Sequence, residues 1–272
     1  MAVRARIMLL TEDSGKQGQP TVHKLLKEAL KVLVQGVDLN PRRIQIEPLP
    51  ENDRARQAVR ATQWKEQPPP REVPILLGAI AARLLEPGFV IFHFDTDRVW
   101  SERHTSENRK KFESIIRGGV RRILRGEAPL PIRPGPPPPQ RTAEQIEAAL
   151  ERLLVLSPCY SIESWLYQAT TKIREHCQKT HASEEHGKLI DSWTADRRVL
   201  EEVFRPKDDA LPCVSDHHNE QLAQTFPAEE VWLAERSFYE FVETLRACAP
   251  LMNALGHEEA VSHCRGLKQR AH

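Results

Sequence analysis

Three short apolar runs, each stopped abruptly by polar residues, constrain this chain more than any other feature. Residues 6–11 (Arg-Ile-Met-Leu-Leu-Thr), 89–94 (Phe-Val-Ile-Phe-His-Phe) and 153–156 (Leu-Leu-Val-Leu) are too short for buried helices and lack the alternation of a half-exposed strand. They predict strands buried on both faces, which belong to parallel sheets covered by helices.

The segments between these runs supply the helices. Pro20 and Thr21 open a stretch in which Val22, Leu25, Leu26, Leu30, Leu33 and Val34 recur at helical spacing. Residues 43–49 read as a further strand, and residues 52–65 as a weakly patterned helix that Pro68 to Pro70 must interrupt. Residues 73–85 are apolar on most sides and predict a buried helix, closed by Pro87 and Gly88. An amphipathic helix is expected over 106–125. Thr142 with Gln145 three residues on marks another helix start, running to about Arg152, and Ser161 opens a helix through Cys177. Beyond Thr180 only short helical pieces are legible, at 196–204, 219–225, 228–236 and 238–247.

This order predicts an α/β fold: a mostly parallel sheet of about four strands flanked by helices, with a helical C-terminal section. Right-handed crossovers bring the C-terminal ends of such strands to one edge, where ligands bind. The expected division is an α/β domain over 1–178 and a helical section over 179–272 packed on it. Residues 127–140 hold much of the chain's proline, 21 residues against 12 glycines, and predict a stiff surface loop.

The C-terminal ends of the strands carry the chemistry. Asp95-Thr96-Asp97 follows the run at 89–94, Glu12 and Asp13 follow the first run, and Glu163 lies just beyond the fourth. Carboxylates gathered at one point repel one another unless a cation is present, and magnesium needs only one or two of them beside water and phosphate. Glu12, Asp95 and Asp97 are therefore the candidate ligands for Mg2+ or Mn2+, with Asp13 and Glu163 adding carboxylates at the same edge. Lys16, His104, Lys110, Arg117 and Arg121 are candidate contacts to a phosphate backbone, the last three from one helical stripe with Arg125. His93, two residues before Asp95, points along the same side.

The segments Ile7 to Glu12, Phe92-His-Phe-Asp95-Thr-Asp97 and Ser161-Ile-Glu163-Ser-Trp165-Leu166 together resemble the Toprim superfamily, in particular small Toprim-like proteins related to the OLD-family nucleases. The resemblance covers about the first 170 residues, with a looser likeness over 226–245. It implies a Toprim-like catalytic domain with metal-dependent phosphodiester chemistry on DNA or RNA, often beside a partner ATPase in defence or repair. By it, Glu12 is a metal ligand or general acid/base, Asp95 and Asp97 are catalytic metal ligands, and Glu163 is a further ligand. The chain departs from the family in placing Glu12-Asp13-Ser14 where Glu-Gly is common, in its long proline loop, and in having no glycine soon after Asp97.

Two other readings stay open. The same scaffold suits a non-catalytic interaction subunit, and an Asp-x-Asp after a strand also occurs in nucleotide-sugar glycosyltransferases, where Glu12 and Glu163 would have no reason to matter. Gly15-Lys16 is not a P-loop, because the upstream glycine and the following Ser or Thr are absent. No stretch reaches the roughly 18 to 20 apolar residues of a membrane helix, and the N-terminal run is too short for a signal peptide, so a cytoplasmic chain is expected. The five cysteines, odd in number and widely spaced, suggest neither a disulfide framework nor a zinc knuckle. A net charge of +1 says little about partners.

Overall fold

The computed structural model describes residues 5–13, 17–33, 44–50, 53–129, 141–180, 184–203 and 213–255. Four strands, β1 (Ala5–Thr11), β2 (Ile44–Pro48), β3 (Phe89–His93) and β4 (Leu153–Leu156), form one all-parallel sheet in the order β2-β1-β3-β4. The register pairs Thr11 with His93 and His93 with Leu156, so the two central strands and β4 end at one level.

Both faces of the sheet are covered, as the continuous apolar runs require. Ile7, Leu9, Phe89, Ile91, Leu154 and Leu156 point into one core beneath α1 (Gly18–Leu33) and the C-terminal helices. Met8, Leu10, Val90, Phe92 and Leu153 point into a second core. It is closed by α2 (Arg54–Arg60), α3 (Glu72–Leu85), a long helix and α6 (Ala143–Leu150). The long helix runs from α4 (Glu107–Lys111) through a π-helical stretch (Phe112–Arg117) into α5 (Gly118–Leu124). Gly119 lets α5 lie close on α3, since a Cβ there would meet Leu77 Cδ1 at 2.6 Å. The foreseen capping box at Thr142 and Gln145 is formed.

Two helices, α7 (Glu163–Leu166) and α8 (Thr170–Thr180), follow β4, and the C-terminal section beyond them comprises α9 (Glu184–Ala195), α10 (Asn219–Gln224), α11 (Ala228–Leu233), α12 (Ser237–Ala247) and α13 (Ala249–Leu255). Trp165 meets Phe238 and Phe241 with ring centroids 5.1 and 6.0 Å apart, and these rings share the core of the first sheet face. The section thus forms, together with α1, one of the sheet's two covering layers. No described helix is long and apolar enough to cross a membrane.

Several expectations need correction. The helix expected over 161–177 breaks between Leu166 and Thr170, where the Arg197 guanidinium takes the Gln168 carbonyl and Gln168 Nε2 donates to the Arg197 carbonyl. Helix α9 was not legible because only Ile190 and Trp193 among its residues are buried, while Val199–Glu202 forms just a 3-10 turn where a longer helix was expected. Cys177 and Cys213 form a disulfide across 36 residues, a pairing no local spacing announces. Lys16 and residues 130–140 of the proline-rich stretch lie outside the described residues.

The weakly patterned segment at 52–65 proves to matter. Asp53 caps α2 through its side chain, and the 3-10 turn Gln63–Lys65 that follows buries Trp64 completely. Its ring lies edge-on to Phe92 and Phe94, 5.4 and 5.5 Å away, and both rings also contact Phe112. Trp64→Ala is expected to cost about 3–5 kcal/mol through cavity formation, and Thr142→Ala about 1 kcal/mol through loss of the cap. Denaturant midpoints of the two variants against the native chain measure both, and equal losses would show that Trp64 does not anchor this core.

Candidate functional site

The register of β1 on β3 sets the site. Glu12, the first residue after β1, donates its backbone N–H to the His93 carbonyl at 3.2 Å, and its carboxylate Oε1 accepts the Asp95 N–H at 2.7 Å. The side chain of Glu12 therefore lies across the end of β3. Its other oxygen, Oε2, is 2.8 Å from Lys65 Nζ, and both side chains are largely buried. Lys65 is brought there by the buried Trp64 next to it.

Asp95 is held from the opposite side. His93, fully buried, shares a 2.8 Å hydrogen bond through Nδ1 with the Thr11 hydroxyl and places Nε2 3.6 Å from Asp95 Oδ1. That separation is an ion-pair distance, too long for a hydrogen bond, so Oδ1 is a buried carboxylate oxygen with no donor. Burial and the neighbouring Asp95 raise the pKa of Glu12, against the lowering effect of Lys65. Burial likewise raises Asp95, with Glu163 and Asp97 adding to it, against the lowering effect of His93. Burial alone would lower His93, but the charges of Asp95, Glu12 and Asp13 outweigh it and its pKa is raised.

The loop after β3 is tightly fixed. Asp97 adopts a left-handed φ of 52° and donates its N–H to the Tyr160 carbonyl. The Thr96 hydroxyl donates to Pro158 O, and Ser106, the N-cap of α4, donates its hydroxyl to Thr96 O. Asn108 Nδ2 then reaches both Asp95 O and Asp97 Oδ2 at 2.7 Å. Glu163 is buried at the start of α7, and Asn219 of α10 donates to its Oε1 at 3.4 Å.

The four foreseen acids thus meet at one edge without converging on a point. Among the described residues no three of them bring oxygens within 4.8 Å of one another. Lys65 holds Glu12, Asn108 holds Asp97, and Asp95 Oδ1 is left as the undonated atom. The donor set is hard oxygen, which suits Mg2+ or Mn2+, and the undonated buried oxygen fits a cation there.

The foreseen phosphate contacts are placed differently. The long helix starts at the acids and runs back toward the N-terminal ends of the strands, so Arg117 lies about 13 Å along its axis from Asn108. Arg117 pairs with Glu113 and donates to the Leu150 and Leu153 carbonyls, fixing the start of β4, while Arg121 is bonded twice to Glu147. Both are removed from the edge and occupied. Lys110 is exposed and paired with Glu107, and His104 is exposed on the 3-10 turn Trp100–Thr105.

Two cations that the sequence did not single out lie closer. Lys65 is one; its signal was the Trp-Lys pair at the end of a weak helix. Arg109, next to Asn108, borders an open cleft of about 250 Å3 with Phe94, Ser157 and Glu240. Its Nη2 is 3.6 Å from Glu240, while its Nε is buried without a hydrogen-bond acceptor.

The chain matches no family model, no curated protein and no solved structure.

Because Glu12, Asp95 and His93 are all raised, the folded protein binds their protons more tightly than the unfolded chain does. Their contribution is fully present below the ordinary values of 4.5, 3.8 and 6.5 and is lost as pH rises through the raised values. Without divalent ions, the melting temperature is expected to fall from about pH 5 to about pH 8, and Asp95→Asn to flatten that fall. Thermal melts in chelator across this range test it; a native profile identical to that of Asp95→Asn would remove the charge cluster as a source of instability.

Proposed function

We propose that this chain is a metal-dependent nuclease acting at the edge formed by Glu12, Asp95, Asp97 and Glu163. The observation that carries the reading is a buried carboxylate oxygen, Asp95 Oδ1, that has no hydrogen-bond donor and lies beside the Glu12 carboxylate, which accepts the Asp95 N–H. The resemblance to Toprim-like proteins supports the same chemistry.

In this reading Asp95 would hold the cation with Asp97 and Glu163 beside it, while Glu12 stands next to Asp95 as the general base. A bound Mg2+ or Mn2+ supplies Lewis acidity toward a phosphoryl oxygen and promotes ionisation of the attacking water. Glu12, whose carboxylate lies against the Asp95 backbone N–H, is placed to take a proton from the attacking water. His93 orients Asp95 from beneath. Lys65 exchanges Glu12 for a substrate phosphate oxygen, and Arg109 contributes a second positive charge from the neighbouring cleft.

A non-catalytic interaction subunit is the second reading. It is favoured by the internal compensation of the site, since Lys65 neutralises Glu12 and Asn108 satisfies Asp97 without any ligand.

One experiment separates the two. Single-stranded and duplex DNA and RNA are incubated with the chain in Mg2+ or Mn2+, beside Glu12→Gln, Asp95→Asn and Lys65→Ala. The nuclease reading expects metal-dependent cleavage that falls by about two to four orders of magnitude in the two acid variants, with folding retained. Absence of cleavage by folded native protein would favour the interaction subunit.

A further inference from the structure

Within the C-terminal helices, a second group of side chains has a different chemistry. Cys177 in α8, His186 in the first turns of α9 and Cys213 in the turn before the 3-10 segment Asp216–His218 each offer a ligand atom, all within 4.8 Å of one another. Both cysteines are buried and the histidine is half-buried. The cysteines are joined as a disulfide. A disulfide needs no third group, yet an imidazole from a separate helix stands beside both sulfurs.

We propose that the reduced chain holds one zinc ion between Cys177, His186 and Cys213. Two thiolates and an imidazole are the soft and borderline donors that select zinc over magnesium. Tetrahedral zinc, with bonds of about 2.0–2.3 Å, needs its ligand atoms on the order of 3.5 Å apart. Small side-chain rotations reach that spacing from a cluster this tight. An open cavity of about 230 Å3, lined by Cys177, Glu184, His186 and Ile190, gives the ion an entry path and room for water in the fourth position.

The disulfide is the metal-free, oxidised form of the same site. A dithiol or phosphine reductant breaks the sulfur–sulfur bond with two electrons and two protons, producing two thiols. Zinc then replaces both thiol protons, which pass to solvent, while neutral His186 donates a ring lone pair. Either form ties α8 to the segment entering α10, whose first residue, Asn219, donates to Glu163. The zinc site would therefore act as a clasp that positions Asn219. Its chemistry is independent of the acidic edge.

The test uses the full-length chain, reduced with a phosphine without oxygen, freed of metal and titrated with Zn2+ and with Co2+ as a spectroscopic stand-in. One metal per chain, release of two protons per zinc and a sulfur-to-cobalt charge-transfer band are expected. Cys177→Ser and Cys213→Ser should lose the band, and Cys159→Ser should keep it. His186→Ala, which can still form the disulfide and so guards against misfolding of the cysteine variants, should weaken zinc by at least about 10-fold. No binding by the reduced native chain, or undiminished binding by folded His186→Ala, would overturn the proposal and leave a simple disulfide. Neither result depends on nucleic-acid cleavage.

Discussion

The parallel pairing of β1 with β3 governs the molecule's chemistry, because it places Thr11 beside His93 and so lays Glu12 across the start of the Asp95 loop. A slip of one residue would turn every side chain of β1 to the opposite core and carry Glu12 out of reach. The apolar alternation of β1 between two separate cores resists such a slip: Ile7 and Leu9 belong to one core, Met8 and Leu10 to the other. Packing on both faces thus fixes a polar contact at the edge.

That edge holds more negative charge than its burial favours. Lys65, the His93 ring and Asn108 offset part of it, each delivered by a different element: a 3-10 turn, a strand and the long helix. The compensation is local to each acid, so the carboxylates remain apart and Asp95 Oδ1 remains undonated. An interior arranged this way tolerates charge at some expense in stability, a compromise common where a protein keeps a site ready for a ligand.

Glu201, a buried acid away from that edge, shows the opposite arrangement. Glu201 is pushed up to about 7 by burial, but its carboxylate accepts both the Ser237 N–H at 2.9 Å and the Ser237 hydroxyl at 2.8 Å. Ser237 in turn accepts the Trp165 indole N–H. This network joins the start of α12 to the segment after β4, and it gives the C-terminal layer a specific seat on the sheet.

The sequence by itself determined the fold class and the location of the acids. Short apolar runs ending in polar residues mark buried parallel strands, and strand ends are where such a fold gathers its polar groups; Leu153–Leu156 and the Thr142 cap were legible to the residue. Only the tertiary structure decided which charges meet. Arg117 and Arg121 share a helical stripe with no sign in their spacing that the helix runs away from the edge, while Lys65 sits in a segment with little periodicity. The Cys177–Cys213 pair was hidden because it joins residues 36 apart in the chain, and α9 because only Ile190 and Trp193 mark its buried face. Periodicity reports which face of an element is buried, whereas a contact between residues distant in the chain depends on how elements are placed against one another.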